Sequence, residues 1–141
     1  MVRSERLEAG ALVEAMQRGD FYASTGVVLE DVRSDGKSLG VTIDGEEGVS
    51  YTTQYIGTRK GFDDTAKPAV DAGGKTLPRS SLIYSDSIGE LLHESKTLTS
   101  SYTFDGTELY VRARVVSDKS QPNPHTEGDT EMAWVQPVLV R

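Results

Sequence analysis

Two histidines, His93 and His125, are the residues best suited to metal or proton chemistry in this chain, and they lie far apart in sequence. Joined by Asp129, they would supply two imidazoles and a carboxylate, donors that suit a mononuclear zinc ion in a hydrolase. Their spacing lacks the close pairing of a known ligand set, so a surface or capping histidine is the plainer reading for each. Carboxylates cluster at Asp63-Asp64 and in Glu127-Gly128-Asp129-Thr130-Glu131. Alternating hard oxygens around a glycine suit calcium. The longer calcium-loop pattern is missing, and a solvated acidic turn accounts for both runs. The chain has no cysteine, which removes thiol nucleophiles, disulfides and thiolate metal sites together. The glycine-rich phosphate loops GxGxxG and GxxxxGK[ST] are absent from the sequence. Arg18-Gly19-Asp20 matches a cell-adhesion tripeptide, but a tripeptide arises readily by chance, and Gly19 has a simpler role as a helix stop.

Aromatic and cationic side chains offer a different chemistry. In the run from Glu108 to Ser117, Leu109, Val111, Ala113 and Val115 alternate with Glu108, Tyr110, Arg112 and Arg114. That period of two predicts a strand with one dry and one wet face. Tyr110, Arg112 and Arg114 then form the candidate ligand face, since a tyrosine on a sheet can stack on a sugar ring. Tyr51, Tyr55 and Trp134 read as core.

The elements that must position these residues are mostly strands. Ser4 is expected to cap an amphipathic helix over residues 4–18, with Leu7, Ala11, Leu12, Ala15 and Met16 on one face, Arg18 in the last turn and Gly19 just beyond it. Strands are expected over 27–33, 39–43 and 49–56, the last two paired as a hairpin around Asp44–Gly48. Residues 57–80 read as a long loop, followed by a short strand from Ser81 to Tyr84. Ser87–Leu92 is ambiguous between a helical turn and a strand. A strand over 95–104 turns at Asp105-Gly106 into the 108–116 strand. A loop over 118–129 leads to a last strand over 131–140, with Pro137 at an edge or bulge.

A length of 141 residues fits one domain with a sizeable core. The net charge of −7 disfavours a phosphate backbone, so no nucleic-acid partner is expected. No window approaches the ~20 apolar residues of a membrane span, and the charged N-terminal residues do not form a leader. The compartment stays open.

Several stretches together resemble one family. Arg18-Gly-Asp-Phe-Tyr-Ala-Ser-Thr-Gly-Val27 is similar to the segment that ends the catalytic barrel of PHP-domain metal-dependent phosphoesterases, the polymerase and histidinol phosphatase superfamily. Ile56-Gly57-Thr58, Tyr84-Ser-Asp-Ser-Ile-Gly89, Glu108-Leu-Tyr-Val-Arg-Ala113, Asn123-Pro-His-Thr-Glu-Gly-Asp129 and Ala133-Trp-Val-Gln-Pro137 resemble the β-rich extension that follows it. The resemblance covers most of the chain, in order. It implies that the family's metal ligands lie on barrel loops upstream of the matched part, and none of them maps onto a position here. It also implies that residues 1–19 correspond to the last barrel helix and 20–141 to the appended domain.

The expected fold is mainly β: an antiparallel two-sheet sandwich of jelly-roll or immunoglobulin-like kind with one N-terminal amphipathic helix. The expected function is that of a non-catalytic accessory domain with no cofactor. Its partner would be the catalytic barrel of a parent protein or another copy of itself, docked through Leu7, Leu12 and Met16. The alternative is a module resembling carbohydrate-binding domains, with a glycan as ligand.

Overall fold

The computed structural model describes residues 1–77 and 82–141. One helix, α1 (Ala9–Arg18), precedes the strands β1 (Tyr22–Ser24), β2 (Leu29–Ser34), β3 (Ser38–Ile43), β4 (Tyr51–Arg59), β5 (Ala66–Pro68) and β6 (Leu82–Tyr84). The chain continues through β7 (Glu90–Ser95), β8 (Thr99–Thr103), β9 (Glu108–Ser120), β10 (Thr130–Val135) and β11 (Val138–Leu139). A large sheet runs in the order β1-β10-β9-β4-β7, with β11 also paired to β9, and a second sheet runs β2-β3-β8. All pairings are antiparallel. The fold is therefore a mainly β, two-sheet sandwich with one N-terminal helix, and β5-β6 form a separate two-stranded ribbon. No helix among the described residues is long and apolar enough to cross a membrane.

The core follows from the period of two. In β3, Leu39, Val41 and Ile43 are buried, while Ser38, Gly40 and Thr42 between them are half-exposed. In β9, Val111, Ala113 and Val115 are fully buried, and in β4 Tyr51 and Tyr55 point the same way. Tyr55 Oη and Ser100 Oγ, 2.9 Å apart, share a hydrogen bond that ties the large sheet to β8. Burying Val, Leu, Ile and aromatic side chains here contributes about 1.5–3 kcal/mol each, which drives the two sheets together. Gly57 meets a packing demand within β4. A Cβ there would lie 2.5 Å from the Tyr110 carbonyl oxygen and 2.7 Å from Leu92 Cδ1, so only glycine lets the strands close.

Several boundaries differ from the sequence expectation. The helix starts at Ala9, not at residue 4, because Ser4 bonds locally to Arg6 and Glu8 offers no side-chain cap. It ends as expected, with Gly19 at φ 83° and its N–H bonded to Met16 O. The predicted 39–43/49–56 hairpin does not form. β3 pairs with β2 and β8, and residues 44–50 carry the chain across to the other sheet. Asp105-Gly106 is likewise a sheet crossing rather than a hairpin, since β8 and β9 lie in different sheets. The ambiguous Ser87–Leu92 segment resolves into a turn leading to β7. The final run breaks at Gln136-Pro137 into β10 and β11, which both pair with β9. The loop expected over 57–80 contains the end of β4 and all of β5. Its last three residues, and the Ser81 start of the expected short strand, lie outside the described residues.

Candidate functional site

The three candidate metal ligands sit on separate elements. His93 is on β7, an edge of the large sheet, opposite Tyr55, and its ring stacks 6.0 Å from the Tyr55 ring and 6.3 Å from that of Tyr102. His125 is exposed in the β9–β10 loop. In that same loop the Asp129 carboxylate accepts a hydrogen bond from the Thr126 amide at 2.8 Å, closing a local turn. Glu131, from the same acidic run, turns inward on β10 and lies 3.5 Å from Lys119. Hydrogen bonds from the Thr65 hydroxyl and then from its amide lower the Asp63 carboxyl pKa. Among the described residues, no three His, Asp or Glu side chains converge to hold a metal ion.

The outer face of the large sheet gathers a different set. The register runs Ala23–Trp134–Arg114–Gln54–Glu94 across β1, β10, β9, β4 and β7. Arg114 donates from Nε and Nη2 to Gln54 Oε1 at 3.0 and 2.6 Å, and Gln54 Nε2 donates to Glu94 Oε2 at 3.0 Å. Trp134 is half-exposed on this face, not in the core as its sequence setting implied. Its neighbours Ala133 and Val135 take the inward positions instead. Tyr51 and Tyr55 are buried as expected. Arg112 is exposed, whereas Tyr110 is half-buried and its hydroxyl accepts from Thr58 Oγ1 at 3.3 Å. The row thus presents an aromatic plane, a fixed guanidinium and a carboxylate on one face of the sheet, a set suited to stacking and hydrogen bonding.

A second polar group closes one end of the sandwich. Glu108, expected on the wet face, is fully buried. Its Oε1 accepts from Tyr102 Oη at 2.6 Å and from the Asp105 amide at 3.2 Å, and its Oε2 accepts from the Gly106 amide at 3.0 Å. Register slips between Thr58 and Arg59 on the partner strand β4, and at this end Leu109 is outward and exposed. Burial, followed by the Glu108 carboxylate, pushes the Tyr102 hydroxyl up to about 12. Asp105 accepts from the Thr107 hydroxyl and amide and from Arg59, which together hold its carboxyl well below the usual range. Arg59 also meets Glu90 at 2.9 Å. Each charge in this group is held by a neighbour, so the network serves the β8–β9 crossing.

Helix α1 presents a third feature. Leu7, just before it, is 94% exposed, and Met16 is 45% exposed, while Leu12 is half-buried and Ala15 alone is fully buried. A cleft of about 480 Å³ opens beside the helix C-terminus. Its floor includes Leu29, Leu39, Val135 and Val138, and the Arg3–Asp31 ion pair of 3.1 Å stands on its rim.

Sequence reasoning found Arg112, Arg114 and Tyr110 but missed Gln54, Glu94 and Glu108. Gln54 and Glu94 carry no local signal, because only strand register places them beside Arg114. No family model, curated protein or solved structure matches the chain.

Proposed function

We propose that this chain is a non-catalytic accessory domain that docks through α1 onto a catalytic barrel, in the manner implied by its resemblance to the C-terminal part of PHP-type phosphoesterases. The observation that carries this reading is the uncovered apolar stripe of the helix. Met16 on the helix and Leu7 just before it are exposed, while Ala15 is the buried contact of the helix with the sandwich. Covering a fully exposed side chain of this kind contributes up to about 1.5–3 kcal/mol toward holding a partner, and less for the half-buried Leu12. The test is titration calorimetry of the chain against a PHP-type barrel separated from its own extension. Binding is expected, and the triple change Leu7→Asp, Leu12→Asp, Met16→Asp should weaken it at least tenfold. Absence of binding by the parent chain, or binding that the triple variant leaves intact, overturns the reading.

A second reading rests on the Trp134–Arg114–Gln54–Glu94 row. Half-exposed indole beside pre-oriented polar groups suits a glycan ring laid across the large sheet. Retardation of the chain in polysaccharide gels, abolished by Trp134→Ala or Tyr110→Ala, would replace docking with glycan binding.

A further inference from the structure

The edges of the two sheets are not equivalent. β7 carries Glu90, His93 and Glu94, and β2 carries Glu30, Asp31 and Arg33. Charged side chains of this kind keep an edge strand from pairing with its own copy. β8 reads Thr99-Ser-Ser-Tyr-Thr103 and has no charge, proline or glycine. It pairs with β3 through five consecutive positions with no register shift, so the strand is regular along its whole length. β8 is the terminal strand of its sheet.

Hydrogen-bond parity shows which groups face outward. The Phe104 amide donates to Lys37 O at 2.8 Å, and the Ile43 amide donates to Leu98 O at 2.8 Å. In an antiparallel ladder, bonded pairs alternate with non-bonded ones. Tyr102 and Ser100 therefore share the β3-facing set with Phe104 and Leu98. Thr99, Ser101 and Thr103 turn their N–H and C=O groups away from β3, toward the open side, where the Thr99 carbonyl accepts from Thr97 Oγ1 at 2.7 Å with its second lone pair left for a partner strand. Their side chains are exposed. Ser100 and Tyr102 point inward and are held by Tyr55 and Glu108, which keeps the strand extended.

We infer that β8 pairs with β8 of a second copy, antiparallel across a two-fold axis at Ser101, to give a continuous six-stranded sheet β2-β3-β8-β8-β3-β2. A strand added to itself about a two-fold is self-complementary by construction. Ser101 faces the partner's Ser101, and Thr99 faces the partner's Thr103, giving about six backbone hydrogen bonds and a ladder of small hydroxyl side chains. Charge selects this edge over β7 and β2, and β1, the fourth edge, is only three residues long and has the Tyr22 N–H and C=O already bonded to Met1. At a net charge of −7 two copies repel, and pairing β7 or β2 with itself would bring further carboxylates together. At β8 no charges meet along the strand. This interface lies apart from α1, so it does not depend on the accessory-domain reading.

Sedimentation equilibrium of the full chain over a concentration series tests the inference. Dimer formation is expected. Ser101→Lys places two like charges at the axis, and Ser101→Pro removes an amide that β3 does not use, so each should weaken the dimer at least about thirtyfold with the fold intact. Circular dichroism and thermal melts of both variants check that the fold is kept, and Ser101→Val, which retains the amide, should dimerise like the parent. A chain that stays monomeric throughout the series overturns the inference. So does a dimer that survives both Ser101→Lys and Ser101→Pro. If that dimer is lost instead in Leu7→Asp, Met16→Asp, self-association belongs to α1.

Discussion

The buried carboxylate of Glu108 offers a sharp test of how the sandwich is held at its β8–β9 end. Glu108→Ala would strand three donors: the Tyr102 hydroxyl and the Asp105 and Gly106 amides. The two amides lie in an exposed turn and regain water readily, so each costs about 1 kcal/mol, the low end for a lost partner. The half-buried Tyr102 hydroxyl adds about 1 kcal/mol, and the missing methylenes leave a gap worth a similar amount. The sum is about 3–4 kcal/mol, a large fraction of the ~5–15 kcal/mol that stabilises a domain of this size. Glu108→Gln keeps one acceptor but turns its amide hydrogens toward a donor, so about 1–2 kcal/mol is expected. Tyr102→Phe should cost about 1 kcal/mol, and the double variant should show coupling of similar size. Glu90→Ala removes an exposed partner of Arg59 and should cost no more than about 0.5 kcal/mol. Urea unfolding followed by tryptophan fluorescence measures all of these, provided the m-value is unchanged. A Glu108→Ala variant within about 0.5 kcal/mol of the parent, the range expected for Glu90→Ala, would show that Glu108 does not hold this end of the sandwich.

The same structure makes two further predictions. Thr53 Oγ1 is buried with no hydrogen-bond partner among the described residues. Thr53→Val keeps its shape and removes an unpaired hydroxyl, so a gain of about 1 kcal/mol is expected in the same unfolding assay, and a loss of that size would show that the hydroxyl is engaged. Tyr102 titrates near 12 when folded, against 10.0 for an ordinary tyrosine. Between these values the unfolded chain has released its proton while the folded chain retains it, so stability falls as pH rises from 10 toward 12. Tyr102→Phe should show a shallower decline over that window. An identical slope in the two proteins would remove Tyr102 as its source.

Alternation was the most legible feature of the chain. The period of two in Leu39-Gly-Val-Thr-Ile43 and in Val111-Arg-Ala-Arg-Val115 assigned both strands and their buried faces correctly, because burial on one face of a sheet forces that pattern whatever the strand pairs with. The pattern misled where a bulge shifted the phase or where residue type and phase disagreed. Glu108 alternates with the wet residues in sequence yet is buried, because the register slip at Leu109 turns it inward, where Tyr102 and the Asp105 turn bond to it. Trp134 has an apolar side chain in an apolar run yet lies outward, since Ala133 and Val135 hold the inward phase.

The candidate site was less legible than the fold. Arg112, Arg114 and Tyr110 stood out because they share one strand. Gln54 and Glu94 lie on two other strands, and nothing in their own neighbourhoods marks them. Local residue pattern determined where strands and the helix stop lie, through side-chain period and the left-handed turn at Gly19. Which strands pair, which turns cross between sheets, and which edge is left uncharged and open were decided only by the tertiary structure. Sheet pairing joins residues distant in sequence, and its register depends on how both faces of the sandwich fill the space between them.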